Sequence, residues 1–119
     1  MNVAVIGASD KPDRFSYQAL MLLKQKGHKV FPVHQRIKSV EGVPVYSSIK
    51  EISEPLDTVT MYVSADISSK IADEILSSKP KRIIFNPGAE NPELANQART
   101  QGIATVDDCT LVMLRGGKF

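Results

Sequence analysis

The residues able to do chemistry in this chain are those that bind anions, and the first of them stand near its start. Gly7, Ala8 and Ser9 follow at once on the apolar run Val3-Ala4-Val5-Ile6. Glycine and alanine keep a turn small enough for a ligand to approach the backbone. The Ser9 hydroxyl and the N–H groups of such a loop can hold a phosphate. Arg14 adds a guanidinium whose forked donors match two phosphate oxygens, a reason for Arg rather than Lys. Ser16 and Tyr17 begin the helix behind the loop. The loop departs from the dinucleotide fingerprint G-x-G-x-x-G, because Ser9 and Pro12 stand where its second and third glycines belong.

A second group follows the next apolar run. An NAD-binding fold places Asp or Glu there to accept the ribose hydroxyls. Here the chain reads Val33-His34-Gln35-Arg36, with Lys38 beyond. Cations in place of the acid suit a phosphorylated ribose, either the 2′-phosphate of NADP or the 3′-phosphate of coenzyme A (CoA). A third group is Asn86-Pro87-Gly88, where the glycine lets the chain pass close to a ligand or adopt positive φ.

Other reactive residues lack partners. Cys109 follows two acids, Asp107 and Asp108, and is read as a structural thiol. His28 and His34 have no metal-ligand spacing around them, so no metal site is expected. No nucleophile elbow, P-loop or H-E-x-x-H motif is present. No catalytic residue is assigned.

The elements that must position these residues alternate. Strands are expected at Asn2–Ile6, Lys29–Val33, 58–63, Arg82–Phe85 and 103–106. Helices are expected over 16–26, from Ser64 or Asp66 to Ser78, and over 92–101, with a single helical turn in 46–52. Ile67, Ile71 and Ile75 should face inward along the second of these helices. Residues 34–44 read as an irregular polar connection, 115–119 as a mobile tail. Alternation with short connections predicts one three-layer α/β domain over 1–119, Rossmann-like, with a five-stranded parallel sheet in the order 3-2-1-4-5. The crevice should then open beyond strands one and four, lined by 7–16 and 86–91 and joined by 34–38 and 64–66.

Bulk composition agrees with that size and class. Apolar residues at 42% and charged residues at 24% are those of an ordinary globular domain. A net charge of +2 gives no field to attract nucleic acid. No apolar run approaches the roughly 20 residues of a membrane span. A lone cysteine and a first strand beginning at residue 2 or 3, with no signal peptide ahead of it, lead to the expectation of a cytoplasmic protein. Composition sets neither a protein partner nor an oligomeric state.

Several segments together resemble the small stand-alone CoA-binding domain proteins, which are similar to the N-terminal domain of the succinyl-CoA synthetase α subunit. They are Val5-Ile6-Gly7-Ala8-Ser9 with Pro12, Arg14, Ser16 and Tyr17; Gly27 with Val30-Phe31-Pro32-Val33; Gly42, Tyr46 and Ser48; Asp57; Gly88; Ala98 with Gly102; and Val106-Asp107-Asp108-Cys109. The resemblance implies a Rossmann-like domain binding CoA or an acyl-CoA, with the diphosphate over the loop from Gly7 to Arg14. Family members commonly carry Val-Asn-Pro where this chain has Val33-His34-Gln35. The synthetase's catalytic histidine lies in another domain, so its ligase chemistry does not transfer.

The expectation is therefore a non-catalytic binding or regulatory module for CoA. Ser9 and Arg14 would bind phosphate and Gly7 and Ala8 would give backbone access, with Ser16, Tyr17, His34 and Gly88 alongside, and Arg36 or Lys38 would meet the 3′-phosphate. The alternatives are an NADP-linked oxidoreductase or redox-sensing Rossmann protein, and a structural or regulatory subunit with a vestigial pocket. Gly7→Val is expected to abolish binding and to leave the chain foldable or only modestly destabilised.

Overall fold

Val3, Ala4, Val5 and Ile6 are buried to within 2% because their strand, β1 (Asn2–Ile6), lies inside the sheet and is covered on both faces. The computed structural model describes residues 1–119. β1 is followed by α1 (Phe15–Gln25) and β2 (Lys29–Val33). A short antiparallel hairpin comes next, β3 (Ser39–Val40) and β4 (Val43–Pro44), and then a 3₁₀ turn at Ile49–Glu51. The second half alternates: β5 (Thr58–Met61), α2 (Ala65–Lys70), α3 (Ala72–Ser77), β6 (Arg82–Phe85), α4 (Pro92–Thr100), β7 (Ala104–Asp107) and α5 (Thr110–Arg115).

The five-stranded sheet is parallel throughout, as expected, but its order is β2-β1-β5-β6-β7. Counted along the chain without the hairpin, that is 2-1-3-4-5 rather than 3-2-1-4-5. Pro32 supplies the physical reason. In a parallel strand the N–H and C=O of one residue point to the same side. The Val33 carbonyl points to β1, where it accepts from Gly7, so Pro32 points outward. Its carbonyl there accepts from Tyr46 N–H at 2.8 Å, and it has no N–H to offer a neighbouring strand. β2 therefore ends the sheet, with only an isolated bridge from Val33 to Tyr46 on its outer edge. The chain crosses back, and β5 pairs with the free side of β1.

Side-chain alternation along β1 divides the core. Val3 and Val5 pack with Leu20, Leu23 and Leu114 under α1 and α5. Ala4 and Ile6 pack with Val59, Met61, Ile75, Phe85 and Leu94 under α3 and α4. The expected helix over 64–78 is broken at Ile71 (φ −112°, ψ 14°), which separates α2 from α3. Ile67 therefore does not face inward; it is 49% exposed. The connection over 34–44 is not wholly irregular, since it contains the hairpin. In the segment 115–119, the Phe119 ring meets His28 edge-on at 5.2 Å and lies 4.6 Å from the Arg82 guanidinium.

Candidate functional site

In a sheet of this order the strand sequence reverses between β1 and β5, and the crevice for a ligand lies beyond their C-terminal ends. A cavity of about 530 Å³ opens there, within the usual range for small-molecule sites. Its floor is Ile6, Gly7 and Val33, one wall runs from His34 to Arg36, and the facing wall comes from Val63, α2 and the start of α3. The expected crevice, beyond strands one and four, is displaced by one strand. Gly88 lies outside it, on the turn after β6, with its N–H donated to Glu90 Oε1 at 2.9 Å.

Gly7 forms the corner. Its φ is +88°, and a Cβ there would lie 2.8 Å from Val63 Cγ1 and 3.2 Å from the Tyr62 carbonyl carbon. The N–H groups of Gly7 and Ala8 both donate to the Val33 carbonyl, at 3.1 and 3.2 Å, so they bind β2 rather than face a phosphate. The free donors come next along the chain. The N–H groups of Ser9 and Asp10, and those of Phe15, Ser16 and Tyr17 in the first turn of α1, have no acceptor within the chain. A helix dipole stands behind those of the first turn, and N–H groups free in this way can bind an anion. The Ser9 hydroxyl accepts from Lys11 N–H at 3.1 Å and keeps its own proton to donate. Arg14 precedes the helix, exposed and without an ion-pair partner.

Of the remaining expected residues, some line the crevice and others do not. Arg36 and His34 line the crevice. His34 Nδ1 accepts from the N–H groups of Arg36 and Ile37, at 3.0 and 3.3 Å, which assigns the ring proton of the neutral form to Nε2. The imidazole thereby shapes the loop that presents Arg36. Lys38 lies outside the crevice, exposed next to the hairpin, its carbonyl accepting from Val45 N–H at 3.0 Å. Ser16 is buried in the first turn of α1. Tyr17 donates to Glu41 Oε1 at 2.9 Å and ties α1 to the hairpin; that hydrogen bond, with burial and the Glu41 charge, holds the phenol above its usual range.

Sequence reasoning missed the groups that α2, α3 and the segment before the 3₁₀ turn bring in: Ser47, Ser48, Ile67, Lys70, Ile71 and Glu74. Ser48 caps the turn by accepting from Lys50 N–H at 3.2 Å. The Glu51 carboxylate takes the Ser47 hydroxyl and the N–H groups of Ser47 and Ser48, and these bonds hold its pKa below the usual range. A buried network below the edge was also missed. Asn86 Nδ2 donates to Thr60 Oγ1 at 2.7 Å and to the Met61 carbonyl at 2.8 Å, while its Oδ1 accepts from Thr110 N–H at 2.8 Å. The signal available was an amide directly after an apolar strand and before Pro-Gly. Burial pushes the neighbouring Tyr62 hydroxyl up to about 12. Cys109, half-buried before α5, does not line the crevice.

No three metal-ligating side chains gather at any point, and no helix is long and apolar enough to cross a membrane. Residues 1–115 match the family model of the CoA-binding domain. A solved structure of an uncharacterized protein superposes with a TM-score of 0.94, is 39% identical, and is matched over 99% of this chain and 97% of that one. The chain is 29% identical over 106 residues to the uncharacterized protein YneT of Bacillus subtilis, spanning 89% of this chain and 78% of that one. It is 42% identical over 62 residues to the alpha subunit of ADP-forming acetate–CoA ligase II of Pyrococcus furiosus, spanning 51% of this chain and only 14% of the subunit.

Proposed function

The chain belongs to the CoA-binding domain family, and on that premise we propose that it binds coenzyme A or an acyl-coenzyme A as a module that does no chemistry of its own. The reading rests most on one observation: the unpaired N–H groups of Ser9, Asp10 and the start of α1 follow along the chain from Gly7, which corners the crevice, although of residues 7–17 only Gly7 lines it. These donors suit the diphosphate, and Arg14 adds charge to them. The apolar surfaces of Ile49, Val63 and Ile71 suit an adenine, and Arg36 suits the phosphate on its ribose. Bound coenzyme A would supply a thiol able to carry an acyl group; the residues named here would hold its nucleotide end.

The non-catalytic part of the reading follows from what the reactive side chains already do. His34 uses Nδ1 to shape its own loop, and Glu74 is engaged by the Ser48 hydroxyl at 3.0 Å. Neither forms a nucleophile–base pair, and the one thiol lies elsewhere. Calorimetric titration of the full chain with CoA, NAD and NADP at one salt concentration tests the reading. CoA should bind most tightly and NAD most weakly, because no carboxylate waits at the end of β2 for ribose hydroxyls. Tighter binding of NADP than of CoA, or no binding of CoA, would overturn it.

A further inference from the structure

Two cations reach the crevice from facing elements, and neither has a counter-ion. Arg36 stands in the loop after β2, and Lys70 is the last residue of α2. The ion pairs of the protein are Lys29–Glu54 and Lys50–Glu74, so neither cation belongs to one. Spacing alone would give Lys70 a partner, since Glu74 stands four residues on and such pairs meet on a continuous helix. The helix is not continuous. It breaks at Ile71, and Glu74 instead accepts from the Ser48 hydroxyl and lies 3.9 Å from the Lys50 ammonium. Lys70 is left with a free ammonium at the crevice. α2 itself is held in place, because Asn91 Nδ2 donates to the hydroxyls of Ser68 and Ser69 at 2.8 and 3.1 Å, and Ser68 is fully buried.

Resting on the coenzyme A reading above, we infer that Lys70 is a specificity-determining residue that, with Arg36, clamps the phosphomonoester on the ligand's adenosine ribose. Charge favours that group over the diphosphate. A phosphomonoester carries roughly 1.5 to 2 negative charges near neutral pH, more than one guanidinium can balance. A second cation on the facing wall completes the match. The diphosphate has its own donors at Ser9, Asp10, α1 and Arg14. The clamp would make the protein discriminate CoA from dephospho-CoA, with Lys70 rather than Lys38 as the partner of Arg36.

Calorimetric titration of wild type, Lys70→Met and Lys70→Arg with CoA, dephospho-CoA and NADP tests this. Lys70 is exposed and its side chain makes no ion pair or hydrogen bond, so both variants should keep the wild-type melting temperature. Lys70→Met should lose about tenfold to a hundredfold in affinity for CoA, the value of one charge-assisted contact, and nothing for dephospho-CoA. Lys70→Arg should retain most of the preference. Equal losses for CoA and dephospho-CoA would overturn the inference by placing Lys70 at the diphosphate, and so would no loss for either. A loss for NADP with none for CoA would overturn the assignment to the 3′-phosphate. Failure of wild type to bind either CoA or dephospho-CoA would instead overturn the coenzyme A reading, before any variant is compared.

Discussion

Replacing Gly7 by alanine should damage the fold itself, not only the ligand site. Two costs add. A side chain at φ +88° is strained by about 1–3 kcal/mol. The new Cβ would also stand 2.8 Å from Val63 Cγ1, with the Tyr62 carbonyl carbon and oxygen at 3.2 and 3.3 Å. Neither neighbour moves easily. Valine has one stiff χ1, and the Tyr62 backbone is fixed by its N–H bond to the Ile6 carbonyl at 2.9 Å. Overpacking of this kind adds about 1–3 kcal/mol. The sum, about 2–6 kcal/mol, is a large share of the roughly 5–15 kcal/mol that holds a domain folded. At roughly 3–6 °C per kcal/mol for this size, melting should fall by about 6 °C at the least.

The control is Gly88→Ala. Its φ is +89°, yet a Cβ there meets nothing within 4 Å, so only the conformational cost applies. Urea unfolding of the two variants isolates the contact, and Gly7→Ala should be the less stable by about 1–3 kcal/mol. Equal stabilities would refute the reasoning. Gly7→Val adds two methyls to the same clash. Its cost should therefore exceed the modest destabilisation expected from the sequence, and loss of binding in that variant would report on the β1–β5 corner as well as on a ligand contact.

Asn86→Asp should destabilise the protein by about 2–4 kcal/mol in urea unfolding, because an oxygen would replace the amide that donates to Thr60 and the Met61 carbonyl; an unchanged midpoint would show that the network contributes nothing. Of the three tyrosines, Tyr62 should ionise last, near pH 12, in an ultraviolet titration of the folded protein. Its phenol keeps its proton in the fold while the unfolded chain loses it near pH 10, so stability is full below pH 10 and declines toward pH 12 by up to about 3 kcal/mol; three equal transitions near pH 10 would contradict this. Cys109→Ser should leave CoA affinity within about twofold of wild type by calorimetry, since the thiol lies outside the crevice.

Much of the sheet was legible in the sequence because a strand covered on both faces reads as an unbroken apolar run. Residues 3–6, 30–33 and 83–85 are such runs, and each lies in a strand. The β3–β4 hairpin was hidden because two-residue strands are too short to show a period of two. The break at Ile71 was hidden for the opposite reason. Ile67, Ile71 and Ile75 keep a four-residue spacing straight through it, which a continuous helix and two abutting helices share. What separates them is tertiary: Asn91 holds Ser68 and Ser69 at the start of the segment, while Ile75 and Leu76 are drawn into the core farther on.

The strand order was within reach as well, and the site turned on it. Pro32 sits in the middle of β2 and cannot donate on its outer side, so a strand pairing fully there would lose a ladder bond. Read that way, the second strand belongs at the edge and the third must pair with the first. Everything about the crevice then changes by one strand. The loop after β5 and the helix following it become the facing wall, in place of the turn at 86–88. Gly88 leaves the candidate site, and Ile67, Ile71 and Lys70 enter it. The residues carried from the sequence on the β1 and β2 side, Gly7, His34 and Arg36, remain because both orders keep those strands adjacent. The absence of one backbone donor in the second strand thus brings Lys70 into the crevice that Arg36 lines.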